Sequence, residues 1–307
     1  MHPTPELRGM NLLNAFTVDV EDYYHVSAFE QHVQRSQWEG YDSRVVESTR
    51  RILALLNQHS VRGTFFILGW VAEHQPDLVR EIHAAGHEIG SHSYWHRLIY
   101  NQTPDEFRED LVRSRNVLED LIGQPVTSYR APSFSITERS LWALDILIEE
   151  GFQIDSSIFP VYHDRYGIPG ARRDLHRIER PAGSLWEFPV SVRQFAGFKL
   201  PVSGGGYFRL YPLGLTLHCL RGINQRQQQS FVFYVHPWEV DPQQPRLPVA
   251  SRLSRFRHYV NLSTTHSKLD TLLSRFKFGP LRDVVAQAQQ NIAANCVTPQ
   301  SASAHCG

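Results

Sequence analysis

Short apolar runs alternate with longer amphipathic segments through the first half of the chain. In the amphipathic segments the apolar residues recur three or four positions apart, as they do along one face of a helix. This alternation with short connections predicts an α/β fold with a parallel sheet, either open or closed into a barrel. Strands are predicted at 12–19, 62–69, 87–91, 126–130 and 152–155, and helices at 44–59, 76–85, 103–122 and 137–150.

The rhythm breaks after residue 160. Residues 160–210 are rich in proline, glycine and arginine and are interpreted as irregular. Within them, the glycine-rich run 203–207 is interpreted as a flexible turn, and a place along a binding groove is the alternative. Regular structure is predicted again for a strand at 231–235 and for helices at 212–227, 264–275 and 280–294.

The composition is that of a globular protein, with 41% hydrophobic and 20% charged residues. Lysine plus arginine and aspartate plus glutamate both number 31, so the formal net charge is zero. We therefore expect no nucleic-acid partner, because binding to the phosphate backbone needs clustered positive charge. Three cysteines without a CxxC pair exclude a disulfide framework and disfavour a thiolate zinc site.

The sequence also bears on location. No apolar run reaches the roughly 18 residues of a transmembrane helix. The first residues lack a basic stretch followed by an apolar segment, so no secretory signal is predicted. We therefore expect a cytoplasmic location, with association at the inner membrane as an alternative. The tail that contains Cys296 and Cys306 is predicted to be frayed.

Residues with chemical capacity gather where the predicted strands end. Each of five strand ends carries an acid, a histidine or an arginine. In α/β proteins the carboxyl ends of parallel strands meet on one face, and active sites form there. The residues concerned are Asp19, Glu21, Asp22, His92, His96, Arg130, Asp155 and His236.

His92 and His96 are four positions apart, which would place both imidazoles on one side of a helical turn, as in His-x-x-x-His metal sites. Two imidazoles and one carboxylate make a three-ligand site with an open position for water or substrate. A divalent metal bound there would polarise a carbonyl group and lower the pKa of a water molecule. The alternative is a chance pair of surface histidines in a chain that has 16 of them.

Asp19, Glu21 and Asp22 lie together at the end of the first predicted strand. Strand alternation sends Asp19 and Glu21 to the same side, whereas Asp22 turns with the loop. Three acids in four residues repel one another unless a cation or an arginine lies between them, so at least one is predicted to face a metal. The alternative is that some of them are solvated or cap the following turn.

Two contacts are predicted between strand ends. Arg130, in a loop stiffened by Pro132, can pair with Asp19 and keep it ionised as a base. Asp155 can orient His236 through a hydrogen bond, so that the imidazole donates a proton. The alternatives are a surface arginine and a histidine with a structural role only.

These segments together resemble the motifs of a known family. The set is similar to the polysaccharide deacetylases, the NodB-homology enzymes of carbohydrate esterase family 4, over about residues 12–240. The run 18–30 further resembles the subgroup found in bacterial exopolysaccharide gene clusters with exosortase and PEP-CTERM systems. The five motifs are Thr17–Asp22, Gly90–His96, Arg130–Phe134, Asp155–Ser157 and Tyr234–Pro237, in this order.

The resemblance implies a distorted (β/α)7 barrel over residues 12–240, with an extension from about residue 195 woven into it. Residues 241–307 would then be a C-terminal helical extension with a frayed tail. The activity implied is metal-dependent N-deacetylation of an amino-sugar polysaccharide during exopolysaccharide biosynthesis.

Site roles also follow from the resemblance. Asp19 matches the general base, and Arg130 matches the residue that supports it. Asp155 and His236 match the pair that activates the catalytic acid.

The metal ligands implied by the resemblance are His92, His96 and one carboxylate. The family has a second aspartate where this chain has Val20, so the third ligand is either Glu21 or Asp22, and both stay open. This donor set suits Zn, Co, Ni or Fe, of which zinc is favoured.

The implied partner is an N-acetylated polysaccharide or oligosaccharide, and exopolysaccharide biosynthesis proteins are further candidates. Two other functions compete with this one. The first is a metal-dependent hydrolase of small cyclic amides on the same fold. The second is a catalytically silent carbohydrate-binding protein of a polymer-export complex.

Overall fold

The computed structural model describes residues 12–163, 166–195, 197–247 and 251–297. Its strands form one large, mostly parallel sheet and a separate two-stranded hairpin. The strands are β1 Leu13–Val20, β2 Thr64–Ile67, β3 Glu88–Ser91, β4 Ser128–Tyr129, β5 Ile154–Asp155, β6 His176–Arg180, β7 Gly183–Glu187, β8 Val192–Phe195, β9 Phe198–Pro201, β10 Val232–Val235 and β11 Lys277–Gly279.

The large sheet has the strand order β10-β1-β2-β3-β4-β5-β7-β6, with β11 also paired to β1. Every neighbouring pair from β10 to β7 is parallel, and only β6 runs antiparallel, beside β7. The predicted α/β fold with a parallel sheet is confirmed. Because the strands are parallel, the carboxyl ends of β1, β3, β4 and β10 lie at the same edge of the sheet.

Side-chain and turn contacts bridge the two ends of this sheet. In the described residues no strand ladder joins β7 to β10. Instead, the N–H of Val232 donates to the Ser191 hydroxyl at 3.0 Å. The N–H of Tyr234 donates to the Ser203 carbonyl at 2.7 Å. The segment that follows β7 therefore closes round to β10 through hydrogen bonds, and it brings the glycine-rich run next to the strand-end edge.

Helices cover the outside of the sheet, and most of those predicted are present. They are α1 Val45–Gln58, α2 Gly69–His74, α3 Pro76–Ala84, α4 Pro104–Ile122, α5 Trp142–Glu149, α6 Gly205–Leu210, α7 Leu213–Arg221, α8 Arg252–Tyr259, α9 Leu262–Leu273 and α10 Leu281–Val297.

The start of α4 shows why local sequence signals succeed. The hydroxyl of Thr103 accepts from the N–H of Glu106, and the Glu106 carboxylate accepts from the N–H of Thr103 at 2.8 Å. This reciprocal pair satisfies two of the donors that a helix start leaves free, and it forms a capping box. The left-handed Gly123 (φ 66°) ends the same helix.

The segment 160–210, predicted as irregular, contains the strands β6 to β9 and the helix α6, and α8 lies where no element was predicted. The short elements α2 and β11 are also absent from the prediction. No helix of the described residues combines the length and the apolar character that crossing a bilayer would require. Of the predicted frayed tail, residues 295–297 form the end of α10, and residues 298–307 lie outside the described residues, as do residues 1–11. The division at residue 240 stays a prediction.

Candidate active site

The end of strand β1 carries two carboxylates to the strand-end edge of the sheet. Asp19 and Glu21 are each only 2% exposed, although both are acids. A tight turn follows the strand, in which the N–H of Glu21 donates to the Asp19 carbonyl at 3.0 Å. Both side chains approach the same imidazole, because Nε2 of His236 lies 3.9 Å from Asp19 Oδ2 and 3.7 Å from Glu21 Oε1. The predicted orientation of these two acids to one side is confirmed.

A bent loop after β3 brings the two histidines together. His92 and His96 have ring centroids 5.3 Å apart. The predicted helical turn is wrong, because Ser93 and His96 both have left-handed backbone angles (φ 64° and 51°). Asp110 holds the loop in this shape by accepting the N–H groups of residues 94 and 95 at 2.6 and 3.0 Å. Non-glycine residues with such angles cost energy and persist where surrounding contacts impose them.

Glu21, His92 and His96 form a compact group of possible metal ligands. One ligand atom from each residue lies within 4.8 Å of the others, and all three residues are buried. Nδ1 of His92 donates to the Arg130 carbonyl at 2.8 Å, so its Nε2 keeps a lone pair for a cation. Oε2 of Glu21 is buried at 2.7 Å from Nε2 of His96, with no hydrogen-bond donor aligned on it in the described residues.

The chemistry of these three side chains fits a divalent cation. Burial lowers the pKa of His92 to about 4, so its ring is neutral, which is the form that binds metals. Burial alone would raise the pKa of Glu21, yet His96 and, more weakly, His236 and His92 lower it on balance. A carboxylate together with two imidazoles is a donor set that zinc and related metals accept.

Asp22 lies outside this group and serves the fold. Its Oδ2 accepts from the Ser43 hydroxyl at 2.7 Å and from the N–H groups of Arg44 and Val45 at 2.9 and 3.1 Å. Those N–H groups begin α1, so Asp22 caps that helix from outside. Of the two carboxylates that the sequence left open as a third ligand, the structure places Glu21 beside both imidazoles.

Arg130 reaches Asp19 from the end of β4. Its Nη1 lies 2.8 Å from Asp19 Oδ1, and both side chains are buried, so the predicted ion pair is present. The guanidinium is held on its other side by the Ser156 carbonyl at 3.0 Å and the Ser156 hydroxyl at 2.8 Å. Because Oδ1 is engaged by Arg130, the second oxygen of Asp19 is the one that faces His236.

A second series of charged side chains positions His236. Its Nδ1 lies 3.0 Å from Oε2 of Glu239, which also accepts the His236 backbone N–H. The other oxygen of Glu239 accepts from Nε of the buried Arg209 at 2.6 Å. Burial alone would lower the pKa of His236, but the hydrogen bond and charge of Glu239, helped by Glu21 and Asp19, raise it to about 9.

The predicted hydrogen bond between Asp155 and His236 is wrong. Both nitrogens of the His236 ring face other acids, and Asp155 instead bonds to the Ser157 hydroxyl at 2.5 Å. Asp155 is also the register partner of Glu187, on the neighbouring strand β7. Burial, followed by the charge of Asp155, holds the pKa of Glu187 well above its usual range. Two ionised carboxyls at this place would repel each other, so the pair favours a single shared proton.

This shared proton makes a testable prediction about stability. Burial raises the pKa of Asp155 to about 6. Groups with a raised native pKa stabilise the fold fully below their unfolded pKa of roughly 4, and that stability is lost as pH rises through the native values. We expect Glu187→Gln to flatten this loss, because its amide donates to Asp155 without a titrating proton. Chemical denaturation between pH 5 and 8 measures it.

The matched control is Glu179→Gln, on the solvent-exposed strand β6, where the side chain is 73% exposed. We expect this variant to follow the wild-type dependence of the unfolding free energy on pH. If Glu187→Gln loses stability with rising pH as steeply as the wild type does, then the two carboxyls do not share a proton.

Comparison with protein families places these residues in context. Residues 34–147 match the polysaccharide deacetylase family. Residues 156–286 match a domain of unknown function, DUF3473. A peptidoglycan-N-acetylglucosamine deacetylase of Bacillus cereus is 37% identical over 105 residues, which are 34% of this chain and 38% of the relative. These matches support the resemblance of this chain to the polysaccharide deacetylase family.

Two further comparisons define how far the likeness extends. A peptidoglycan-N-acetylmuramic acid deacetylase of Bacillus subtilis is 27% identical over 120 residues, 39% of this chain and 44% of the relative. The chain thus spans less than half the length of the curated deacetylases it matches. A crystal structure from Mycobacterium smegmatis, itself assigned to the polysaccharide deacetylases, has a TM-score of 0.61 and 20% identity, covering 100% of this chain and 97% of that one. This last likeness concerns the fold.

Two residues of the site were missed by sequence reasoning, and both lie outside the polysaccharide deacetylase match. Glu239 is three residues after His236 and accepts its N–H in the manner of a capping box. That spacing was a readable signal, although histidine is an unusual first residue for this motif. Arg209 had no local signal, because it meets Glu239 only through the fold. Both fall within the domain of unknown function.

Proposed function

We propose that this protein is a metal-dependent N-deacetylase that removes N-acetyl groups from an amino-sugar polysaccharide. The observation that carries the proposal is the convergence of Glu21, His92 and His96 within 4.8 Å, flanked by Asp19 and His236. A carboxylate on one side and an imidazole on the other are the groups that amide hydrolysis needs for proton transfer. The family match of residues 34–147 supports the same activity.

The metal would be held by Glu21, His92 and His96, and zinc is the favoured ion. When bound, a divalent cation supplies a Lewis acid that polarises the amide carbonyl and makes water more acidic. The protein orients its own ligands for this task. The Arg130 carbonyl fixes the tautomer of His92, and the Trp238 indole N–H donates to Glu21 Oε1 at 3.3 Å.

Proton transfer would be divided between Asp19 and His236. Asp19 takes a proton from the attacking water through Oδ2, while Arg130 holds Oδ1 and keeps the carboxylate in place. His236, held through Nδ1 by Glu239, presents Nε2 to the site and gives a proton to the leaving nitrogen. The C–N bond breaks as the new C–O bond becomes part of acetate, and the sugar keeps a free amine.

Asp155 takes a different part from the one that the motif assigns to it. The next residue, Ser156, accepts from the Arg130 guanidinium at 2.8 Å, and Asp155 itself is paired with Glu187. We propose that it supports the Arg130 environment, whereas Glu239 takes over the orientation of the acid.

The polymer proposed is a bacterial exopolysaccharide that contains N-acetylated amino sugars. The run 18–30 supports this, because it resembles the subgroup of exopolysaccharide gene clusters. The Bacillus relatives carry names that refer to peptidoglycan, which shares the N-acetylated amino sugars. Proteins of exopolysaccharide synthesis are the proposed partners.

Acetate release tests the activity directly. We expect the purified protein to release acetate from oligomers of N-acetylglucosamine, and a chelator to abolish the release. Restoring zinc or cobalt after removal of the chelator should recover it, because the ligand group binds divalent cations through nitrogen and oxygen. Enzymatic acetate assay and metal analysis of the same samples provide the measurement.

The other candidate functions give different results in this assay. Hydrolysis of allantoin with no acetate from the oligomers would indicate the cyclic-amide activity. Oligomer binding without acetate release in the presence of each metal would indicate a silent carbohydrate-binding protein. Full activity after exhaustive metal removal would contradict the metal dependence.

A further inference from the structure

A cleft of about 460 Å³ opens beside His236, the proposed catalytic acid. Its size is within the range of ligand cavities, roughly 300–1,000 Å³. Tyr234 and Trp238 line it, and their rings lie 5.8 and 5.0 Å from the ring of His236. Trp238 also donates to Glu21, so the floor of the cleft and the proposed metal site share a side chain.

The two walls of this cleft come from different parts of the chain. One wall is made by loops at the strand-end edge, at residues 26–28, Leu98 and Tyr100. The facing wall comes from α6 and α8, at Tyr207, Leu210 and Phe256. This second wall lies wholly within the domain of unknown function.

Apolar side chains on the second wall are left open to solvent. Phe256 is 56% exposed and Leu210 is 49% exposed, and both border the cleft. An exposed aromatic ring beside a cleft can stack on the apolar face of a sugar ring, while the polar residues of the candidate active site lie at one end of the same cleft. The same cleft offers Arg257 and Ser254 for the hydroxyl and acetamido groups.

Buried Arg209 fixes this wall in relation to the catalytic acid. Its guanidinium donates to Glu239 Oε1 at 2.6 Å, and from there the chain of contacts reaches His236. It also donates to the backbone carbonyls of Arg257 at 2.9 Å and His258 at 2.7 Å, at the end of α8. A single side chain thus ties α6, α8 and the partner of the acid together.

Two glycines allow the start of α6 to pack directly against Tyr234. A Cβ atom on Gly204 would lie 1.9 Å from the carbonyl oxygen of Tyr234, and one on Gly205 would lie 2.5 Å from its hydroxyl oxygen. Both glycines have positive φ (135° and 55°). The run 203–207 therefore packs tightly against Tyr234 and places Tyr207 in the cleft. Its interpretation as a plain flexible turn is wrong.

We propose that α6 and α8 form a binding subsite for a second sugar unit, next to the unit that loses its acetyl group. The proposal rests on the proposed function for the identity of the ligand, an N-acetylated glycan chain. Phe256 and Tyr207 supply the platform, and the tie through Arg209 keeps the platform in register with the acid. The domain of unknown function then selects chains over single sugars.

Binding of chitin oligosaccharides, from monomer to hexamer, tests this subsite by calorimetry without requiring turnover. In the wild type the affinity should rise from monomer to the longer oligomers. Phe256→Ala should weaken the binding of the longer oligomers by about tenfold and leave that of the monomer unchanged. The matched control is Leu253→Ala, because Leu253 lies on the same helix, is also 56% exposed and does not line the cleft.

Each outcome decides the proposal. Equal affinity of the wild type for monomer and oligomers, the absence of binding, or the same affinities in Phe256→Ala and Leu253→Ala would overturn it. The combined variant Leu210→Ser with Tyr207→Ala should repeat the selective loss if α6 contributes. Acetate release is measured in parallel. Binding that depends on chain length, but without acetate release, would leave the subsite standing and the proposed catalysis refuted.

Discussion

Asp19→Asn is expected to lower the rate of acetate release by about 10³-fold, while the metal content of the protein stays unchanged. Asparagine keeps an oxygen for Arg130, which contacts Oδ1 at 2.8 Å, but it cannot take a proton through the atom that replaces Oδ2. Asp19 is outside the group formed by Glu21, His92 and His96, so metal binding should persist. Initial rates and metal analysis on the same preparation measure both effects.

A matched control separates the loss of a base from the loss of a buried charge. Asp241 is also buried and ion-paired, to Arg44 at 2.8 Å and Arg51 at 3.2 Å. Asp241→Asn should lower the unfolding free energy, since two arginines lose their partner, yet turnover should remain near that of the wild type. Retained turnover in Asp19→Asn would show that another group acts as the base.

Parts of this site could be predicted from sequence, because residues at the carboxyl ends of parallel strands meet at one edge of the sheet. Runs of apolar residues identified β1 and β10, and β3 was predicted as the short segment that follows the helix at 76–85. The rule that parallel strands share one carboxyl edge then brought Asp19, His92 and His236 together. The contact between Arg130 and Asp19 followed for the same reason. Such inferences need only the position of a residue along a strand.

The contacts of Asp155 show where that reasoning stops. Its true neighbour, Glu187, lies on β7, a strand hidden in a segment whose sequence suggested irregular structure. Strand β6 beside it exposes Arg177 and Glu179, so the apolar alternation that reveals a strand is weak there. With β7 unrecognised, Asp155 had no visible partner except His236, and the wrong pairing followed.

The direction in which a side chain points is harder to predict from sequence than the position of its residue along a strand. Pro237 begins a 3-10 turn after β10, and this turn brings Glu239 back to Nδ1 of His236. Glu21 and Asp22 are adjacent in sequence, yet they point to different tasks. The turn after β1 sends one carboxylate to the imidazoles and the other to the start of α1. A motif that gives spacing alone cannot separate them.

That separation leads to a paired prediction on metal binding. Glu21→Gln should weaken the affinity for zinc by at least about 100-fold, because a charged ligand is replaced by a neutral amide. Asp22→Ala should keep zinc affinity but lower the unfolding free energy by about 1–3 kcal/mol, since the N–H groups of Arg44 and Val45 lose a buried acceptor. Competition with a fluorescent chelator and chemical denaturation measure the two quantities.

The two variants control for each other, because they remove neighbouring carboxylates of similar burial. Glu21→Gln should retain the far-ultraviolet circular dichroism of the wild type, so that its loss of zinc cannot be assigned to unfolding. Asp22→Ala should regain stability when a cap is restored as Asp22→Asn, since asparagine serves almost as well as aspartate at a helix start. The reverse pattern, with zinc lost in Asp22→Ala and kept in Glu21→Gln, would transfer the third ligand to Asp22 and require the loop after β1 to rearrange on metal binding.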